Sequence, residues 1–147
     1  MTHAYCDGAC RVSNPGETSA AFVVFDGAQL TAWGARYLGP ELHTNNHAEF
    51  QGLLDLLKWA EDTQTKNLDI FCDSKLVVNT TTQTWQLKEA ELLPLRDLAY
   101  ALLTRGHHTL QHVHGHSGDR GNEYADRLCN LALDKELGKD EKTRTER

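Results

Sequence analysis

The hydrophobic period changes once along this chain, and that change limits the folds open to it. Before it, apolar residues come in strand-length runs divided by turn residues. Residues 2–7 read as a strand, and "SNPGE" (13–17) reads as a turn through its Asn-Pro and Pro-Gly steps. "SAAFVVF" (19–25) and "LTAWGARYLG" (30–39) read as two further strands. Between them lies Asp26-Gly27, a hairpin signal because glycine accepts the positive φ that a tight turn requires. From His47 to Glu61 the apolar positions are instead Phe50, Leu53, Leu54, Leu57 and Ala60, the spacing of an amphipathic helix. Thr44, Asn45 and Asn46 stand before it as N-cap candidates.

The remaining elements follow from the same rules. "NLDIFCD" (67–73) is a fourth strand, and a strand after a helix implies a parallel crossover. "SKLVVNTTT" (74–82) reads as a short helix. Residues 92–103 read as another helix, with Pro94 suited to its first turn. "HTLQHVH" (108–114) alternates as a fifth strand. Residues 122–133 read as a last helix, with Tyr124, Leu128, Leu131 and Ala132 near one face. The expected architecture is α/β: one mixed sheet, three strands antiparallel and two parallel, flanked by helices. The expected domain is residues 1–137, with a polar, disordered tail at 138–147.

At 147 residues the chain suits one domain with a sizeable core. No apolar stretch reaches the roughly 18 residues needed to span a bilayer. No basic segment followed by an apolar run opens the chain, so cytoplasm is the expected compartment. The four cysteines, Cys6, Cys10, Cys72 and Cys129, show no C-x-x-C spacing and read as reduced thiols rather than a zinc ribbon or redox pair. The net charge of −6 argues mildly against a nucleic-acid partner, although a catalytic carboxylate cluster would itself contribute negative charge.

Carboxylates occupy unusual places. Asp7 interrupts the first strand, Glu49 lies at the start of the long helix, Asp73 ends the fourth strand, and Asp126 lies early in the last helix. If the first and fourth strands are neighbours, Asp7 and Asp73 face one site while Cys6 and Cys72 face the packed side. Carboxylates held that close repel and need compensation, for which hard divalent cations with oxygen ligands are suited. Two such ions about 4 Å apart clamp a phosphate. Spacing alone favours a solvated strand-end or helix-start residue for each carboxylate taken singly.

The motifs together resemble those of type 1 ribonuclease H. They are the strand carrying "YCDGAC", the turn "NPG" (14–16), the helix start "TNNHAE" (44–49), "DS" (73–74) and "GHSGDRGNEYAD" (115–126). The resemblance covers roughly residues 4–134. It implies a ribonuclease H-like fold and hydrolysis of the RNA strand of an RNA–DNA hybrid, leaving 5′-phosphate and 3′-hydroxyl ends. It implies two Mg²⁺ ions, with Mn²⁺ as a substitute, held by Asp7, Glu49, Asp73 and Asp126. His116 matches the family's mobile-loop histidine, for proton passage or product release, since imidazole titrates near about pH 6.5. Asn14, Thr44, Asn45, Asn46, Asn79 and Asn122 match substrate-side positions, Thr44 within a phosphate pocket on the DNA strand. Discriminating RNA requires such polar contacts to the 2′-hydroxyl.

Two departures stand out. Lys75 occupies a position where the family often has glutamine, offering a phosphate contact. The basic helical protrusion of many members is replaced by the short, non-basic "WQLKEAELLPLRD" (85–97), as in compact members. Trp85 reads equally as a base-stacking residue or as a core or interface tryptophan. His107, His108, His112, His114 and His116 suggest a metal cluster, but without a completing carboxylate or cysteine spacing they read as polar strand-face residues. A monomer without membrane contact is expected. Two alternatives stay open: a non-catalytic nucleic-acid or protein interaction module on this fold, and a broader nuclease also cutting double-stranded RNA or RNA–DNA junctions.

Overall fold

The structure is a computed structural model and describes residues 2–114 and 120–138. Three strands form the antiparallel meander: β1 (Thr2–Arg11), β2 (Glu17–Asp26) and β3 (Gln29–Tyr37). Helix α1 (Asn45–Asp62) crosses to β4 (Asp69–Cys72), which joins β1 in parallel. Helices α2 (Lys75–Thr81) and α3 (Leu93–Arg105) lead to β5 (Thr109–His112), parallel to β4, and α4 (Arg120–Leu137) closes the fold. The sheet order is β3-β2-β1-β4-β5. The expected five-stranded mixed sheet is therefore observed.

Local chemistry sets these elements. Gly27, at φ 62°, makes the turn between β2 and β3. The Thr44 and Ser74 side chains accept the His47 and Val77 backbone N–H groups and cap α1 and α2. Pro94 lies in the first turn of α3, where its missing N–H costs nothing.

Strand alternation divides the core between two faces. Ala4, Cys6, Phe22 and Val24 face the larger cluster beneath α1, with Phe50, Leu53, Leu57, Ile70 and Leu102. Tyr5 and Val23 face α4 in a much smaller cluster with Ala125, bordered by Phe25, Phe71 and Leu128. The sequence places Tyr124, Leu128, Leu131 and Ala132 near one face of α4, the natural candidate for burial. The buried residues are instead Gly121, Asn122, Ala125, Cys129, Leu133 and Asp134, while Tyr124 and Leu131 are exposed. Close approach explains the difference, because a Cβ on Gly121 would lie 2.1 Å from the Tyr5 ring. Only small side chains fit beneath the first turns, and the large ones ride on the rim.

The first strand is also longer than the sequence reading made it. Its ladder with β2 runs on to Arg11↔Glu17, so Asp7 sits inside β1 rather than at its end. Tail residues 139–147 lie outside the described residues. Among the described residues no helix is long and apolar enough to cross a membrane.

Helix α1 touches β1 backbone to backbone. A Cβ on Gly8 would lie 2.3 Å from the Ala48 carbonyl carbon, and one on Gly52 would lie 2.3 Å from the Asp7 carbonyl oxygen. Gly52→Ala would ordinarily gain about 1 kcal/mol from helix propensity. Here we expect it to destabilise the fold by about 2–3 kcal/mol, because backbone must move. Urea unfolding measures this directly.

Candidate active site

The site lies where the sheet opens. The parallel β1–β4 ladder stops at Cys6↔Cys72, while β1 continues to Arg11 alongside β2. Beyond Cys72, one edge of β1 has no strand partner, and the second turn of α1 fills the space. The glycine contacts at Gly8 and Gly52 bring Glu49 down beside Asp7. The Gly8 N–H donates to both carboxylates, at 2.8 Å to Asp7 Oδ1 and 3.3 Å to Glu49 Oε1. Asp73 follows β4 directly, one residue past Cys72 and just before the α2 cap. Asp126 comes from the second turn of α4, on the sheet face shared by Tyr5 and Asp7.

These four carboxylates share one electrostatic environment. Asp7 is 3 % exposed and Glu49 6 %. Burial, then the charge of Asp73 and more weakly that of Asp126, pushes the Asp7 pKa up to about 7, against the hydrogen bonds from Glu49 and Gly8. Glu49 is raised well above the usual carboxylate range, by burial first and then by Asp7 and Cys72. In the absence of a cation the cluster is therefore an acid that resists losing its last proton. Hard divalent ions suit this donor set, since carboxylate oxygens are their preferred ligands and positive charge relieves the repulsion. Glu49 and Asp73 offer oxygens, and Cys72 a sulfur, all within 4.8 Å of one another. No other group of three His, Cys, Asp or Glu residues among those described approaches so closely.

Helix α4, which carries Asp126, buries Ala125, Cys129 and Leu133 against the sheet, and a polar clamp supplements this apolar contact. Arg11, buried at the end of β1, donates to Asp134 Oδ1 at 2.6 Å and to Asn130 Oδ1 at 2.9 Å. Asn130 in turn donates to the Asp126 carbonyl at 3.0 Å. Ser19 Oγ donates to the Cys129 carbonyl at 2.7 Å. The sequence reading missed Arg11, Asn130 and Asp134. A strand read as ending at residue 7 leaves Arg11 outside it, so the sequence carried no signal of its burial.

The expected substrate-side residues gather around the start of α1 and along α2. Asn14 is exposed on the β1–β2 loop, and its Oδ1 accepts the Asn45 N–H at 2.9 Å. His43 pairs with Gly16 in both directions across the same corner. Thr44, the cap of α1, and Asn45 and Asn46 in its first turn thus stand at a braced corner one turn before Glu49. Lys75 is exposed at the first position of α2, and Asn79 is half-buried on the same helix. The Trp85 N–H donates to the Asn79 carbonyl at 2.9 Å, and the Trp85 side chain is 46 % exposed, which excludes a core role. Asn122 is buried in the first turn of α4. His116 lies outside the described residues. The remaining histidines do not converge on a metal-binding group: His108 Nδ1 accepts the Leu68 N–H at 3.0 Å, and His112 meets His114 edge to face.

The pH dependence of stability follows from the buried cluster. The folded protein retains a proton on Asp7 up to about pH 7, whereas the unfolded chain releases it near the ordinary value of 3.8. Stability of the metal-free protein therefore falls as pH rises between these values, and the penalty is fully present above pH 7. Asp7→Asn removes it. We expect this variant to be more stable than the parent by up to about 4 kcal/mol at pH 8 and nearly equal to it at pH 4, by denaturant unfolding in EDTA.

Known proteins place this geometry. Residues 1–134 match the RNase H family. The chain is 35% identical to Ribonuclease HI of Halobacterium salinarum over 134 residues, spanning 90% of this chain and 64% of that protein. It is 33% identical to Ribonuclease HI of Pseudomonas aeruginosa strain PAO1, spanning 88% of this chain and 90% of that protein. The crystal structure of the Halobacterium salinarum RNase H1 superposes with a TM-score of 0.81, at 34% identity, covering 91% of this chain and 98% of that one. LC11-RNase H1, solved in complex with an RNA/DNA hybrid, superposes at 0.80 with 25% identity, covering 93% of this chain and 99% of that one. Matching family, matching fold and four carboxylates converging where β1 and β4 part lead to one conclusion: the chain belongs to the RNase H family.

Proposed function

We propose that this chain is a metal-dependent endoribonuclease that hydrolyses the RNA strand of RNA–DNA hybrids, leaving 5′-phosphate and 3′-hydroxyl ends. The observation that carries the reading is the convergence of four carboxylates on one buried spot, where burial and the charges of Asp73 and Asp126 raise the pKa of Asp7. Such a cluster is costly to a fold and is explained by a bound cation. The RNase H family is divalent-metal-dependent, and the donor set here fits that requirement. We assign Asp7, Glu49, Asp73 and Asp126 as ligands for two Mg²⁺ ions, with Mn²⁺ able to substitute. Bound ions would polarise the phosphoryl oxygen and stabilise attacking and leaving oxygens.

The chain's own residues do the rest. Gly8 holds the Asp7 and Glu49 oxygens in place with one N–H. Asn14, Thr44, Asn45 and Asn46 form a polar rim on which the ribose edge of the RNA strand and a phosphate of the DNA strand would rest. Lys75 would pair with a phosphate as a point charge, with Asn79 and Asn122 as further polar contacts. His116 would pass protons or assist product departure. The acting unit is residues 1–137, working as a monomer.

Asp73→Asn should lower Mg²⁺-dependent cleavage of an end-labelled RNA–DNA hybrid by at least about a hundredfold, since even outer-shell metal partners carry 10–100-fold effects. Its circular dichroism should match the parent. Parallel RNA–RNA and DNA–DNA duplexes should stay uncut. Parent-rate cleavage by the variant would overturn the site assignment, and hybrid binding without turnover in Mg²⁺ or Mn²⁺ would overturn the enzymatic reading.

A further inference from the structure

One donor in the cluster does not belong to the chemistry of Mg²⁺. Cys72 is fully buried at the end of β4, and its Sγ lies 4.0 Å from Glu49 Oε2. Its sulfur, a Glu49 oxygen and an Asp73 oxygen lie within 4.8 Å of one another. An ion bound to two oxygens at about 2.1 Å and a sulfur at about 2.3 Å would need these donors to close by only about 1 Å. Hard Mg²⁺ takes oxygen ligands alone, whereas Zn²⁺ and Co²⁺ accept mixed sulfur and oxygen donors. Among the described residues no other thiol joins such a group: Cys6 is a hydrogen-bond partner of Cys72, Cys10 donates to the Ser13 carbonyl at 2.9 Å, and Cys129 approaches the carboxylates from α4 without completing a three-donor set.

We propose that Cys72 turns one end of this metal centre into a sulfur–oxygen site, on which Glu49, Cys72 and Asp73 hold a thiophilic divalent cation such as Zn²⁺ in competition with Mg²⁺. The inference rests on reading the carboxylate cluster as the metal centre. It assigns Cys72 a role in metal selectivity beyond filling the core beside Cys6. Zn²⁺ held there would occupy Glu49 and Asp73 in a geometry set by the thiolate, so the protein should be inhibited by low Zn²⁺ in the presence of Mg²⁺.

The test uses the full chain, reduced, with Cys72→Ser and Cys72→Val as paired variants and Cys10→Ser as a thiol control. Co²⁺ is titrated into each protein without Mg²⁺, and the near-ultraviolet sulfur-to-cobalt charge-transfer absorption is followed. Zn²⁺ inhibition of hybrid cleavage is then measured at fixed Mg²⁺. The expected result is a charge-transfer band in the parent and in Cys10→Ser that is absent from both Cys72 variants. Their Zn²⁺ inhibition constants should be weaker by at least about tenfold, the scale on which ligand changes act. A parent without the band, a band that survives in the Cys72 variants, or equal Zn²⁺ inhibition of all four proteins would overturn the proposal while leaving Mg²⁺-dependent cleavage intact. Absence of cleavage by the parent with Mg²⁺ alone would overturn the underlying metal-nuclease reading as well.

Discussion

The backbones of α1 and β1 meet with no side chain between them, at Gly8 and Gly52, and the rest of the site depends on that contact. A helix normally lies about 10 Å from a sheet because its side chains intervene. Here two glycines let the second turn of α1 settle beside β1 where β4 has already ended. Glu49 therefore reaches Asp7 from one side of the sheet, Asp126 approaches from the other, and Asp73 arrives along the neighbouring strand. The larger core beneath α1 makes the arrangement rigid: Phe50, Leu53, Leu54 and Leu57 are all but fully buried. Their burial, at about 25 cal/mol per Å² of apolar surface, offsets the repulsion that the carboxylates impose.

The two faces of the sheet hold their helices differently. Helix α1 is seated by apolar packing, with surface ion pairs from Asp55 to Arg36 and from Glu61 to Arg105 that add little. Helix α4 has the smaller Tyr5, Val23 and Ala125 cluster, with Cys129 and Leu133 also buried, and its placement draws in addition on Arg11, Asn130, Asp134 and Ser19. A buried ion pair of this kind adds little net stability but is costly to break, and so fixes one arrangement. Asp126 thus depends on a clamp that starts four residues beyond Asp7 on the same strand. One strand supplies the first carboxylate and also anchors the helix that carries the last.

Much of this was readable in the sequence, for physical reasons. The change of hydrophobic period separated the meander from the helical half, and Asp26-Gly27, Thr44 and Pro94 marked boundaries that local chemistry alone determines. Spacing alone reads each of the four carboxylates as a solvated strand-end or helix-start residue, and it is the resemblance to type 1 ribonuclease H that singles them out as a set. What escaped the sequence depended on distances between segments remote along the chain. The length of β1 is set by β2, which pairs with it past the point where β4 stops. The inner face of α4 is set by the Tyr5 ring, which admits Gly121 and small neighbours and expels Tyr124. Cys72 was expected on the packed side and is found there, yet its sulfur also touches Glu49, because α1 approaches so closely. A glycine at position 52, inside an otherwise strong helical pattern, was the one visible sign of that approach.

The account stands on mutual repulsion among buried carboxylates that a divalent cation relieves. Calorimetric titration of Mg²⁺ into the metal-free protein, in buffers of different ionisation enthalpy, tests this most directly. With Asp7 titrating near pH 7 and Glu49 also raised, binding at pH 6 should expel at least about one proton per protein, and fewer as pH rises, because the ligands must be ionised to hold the metal. Mg²⁺ binding that releases no proton at pH 6 would contradict it.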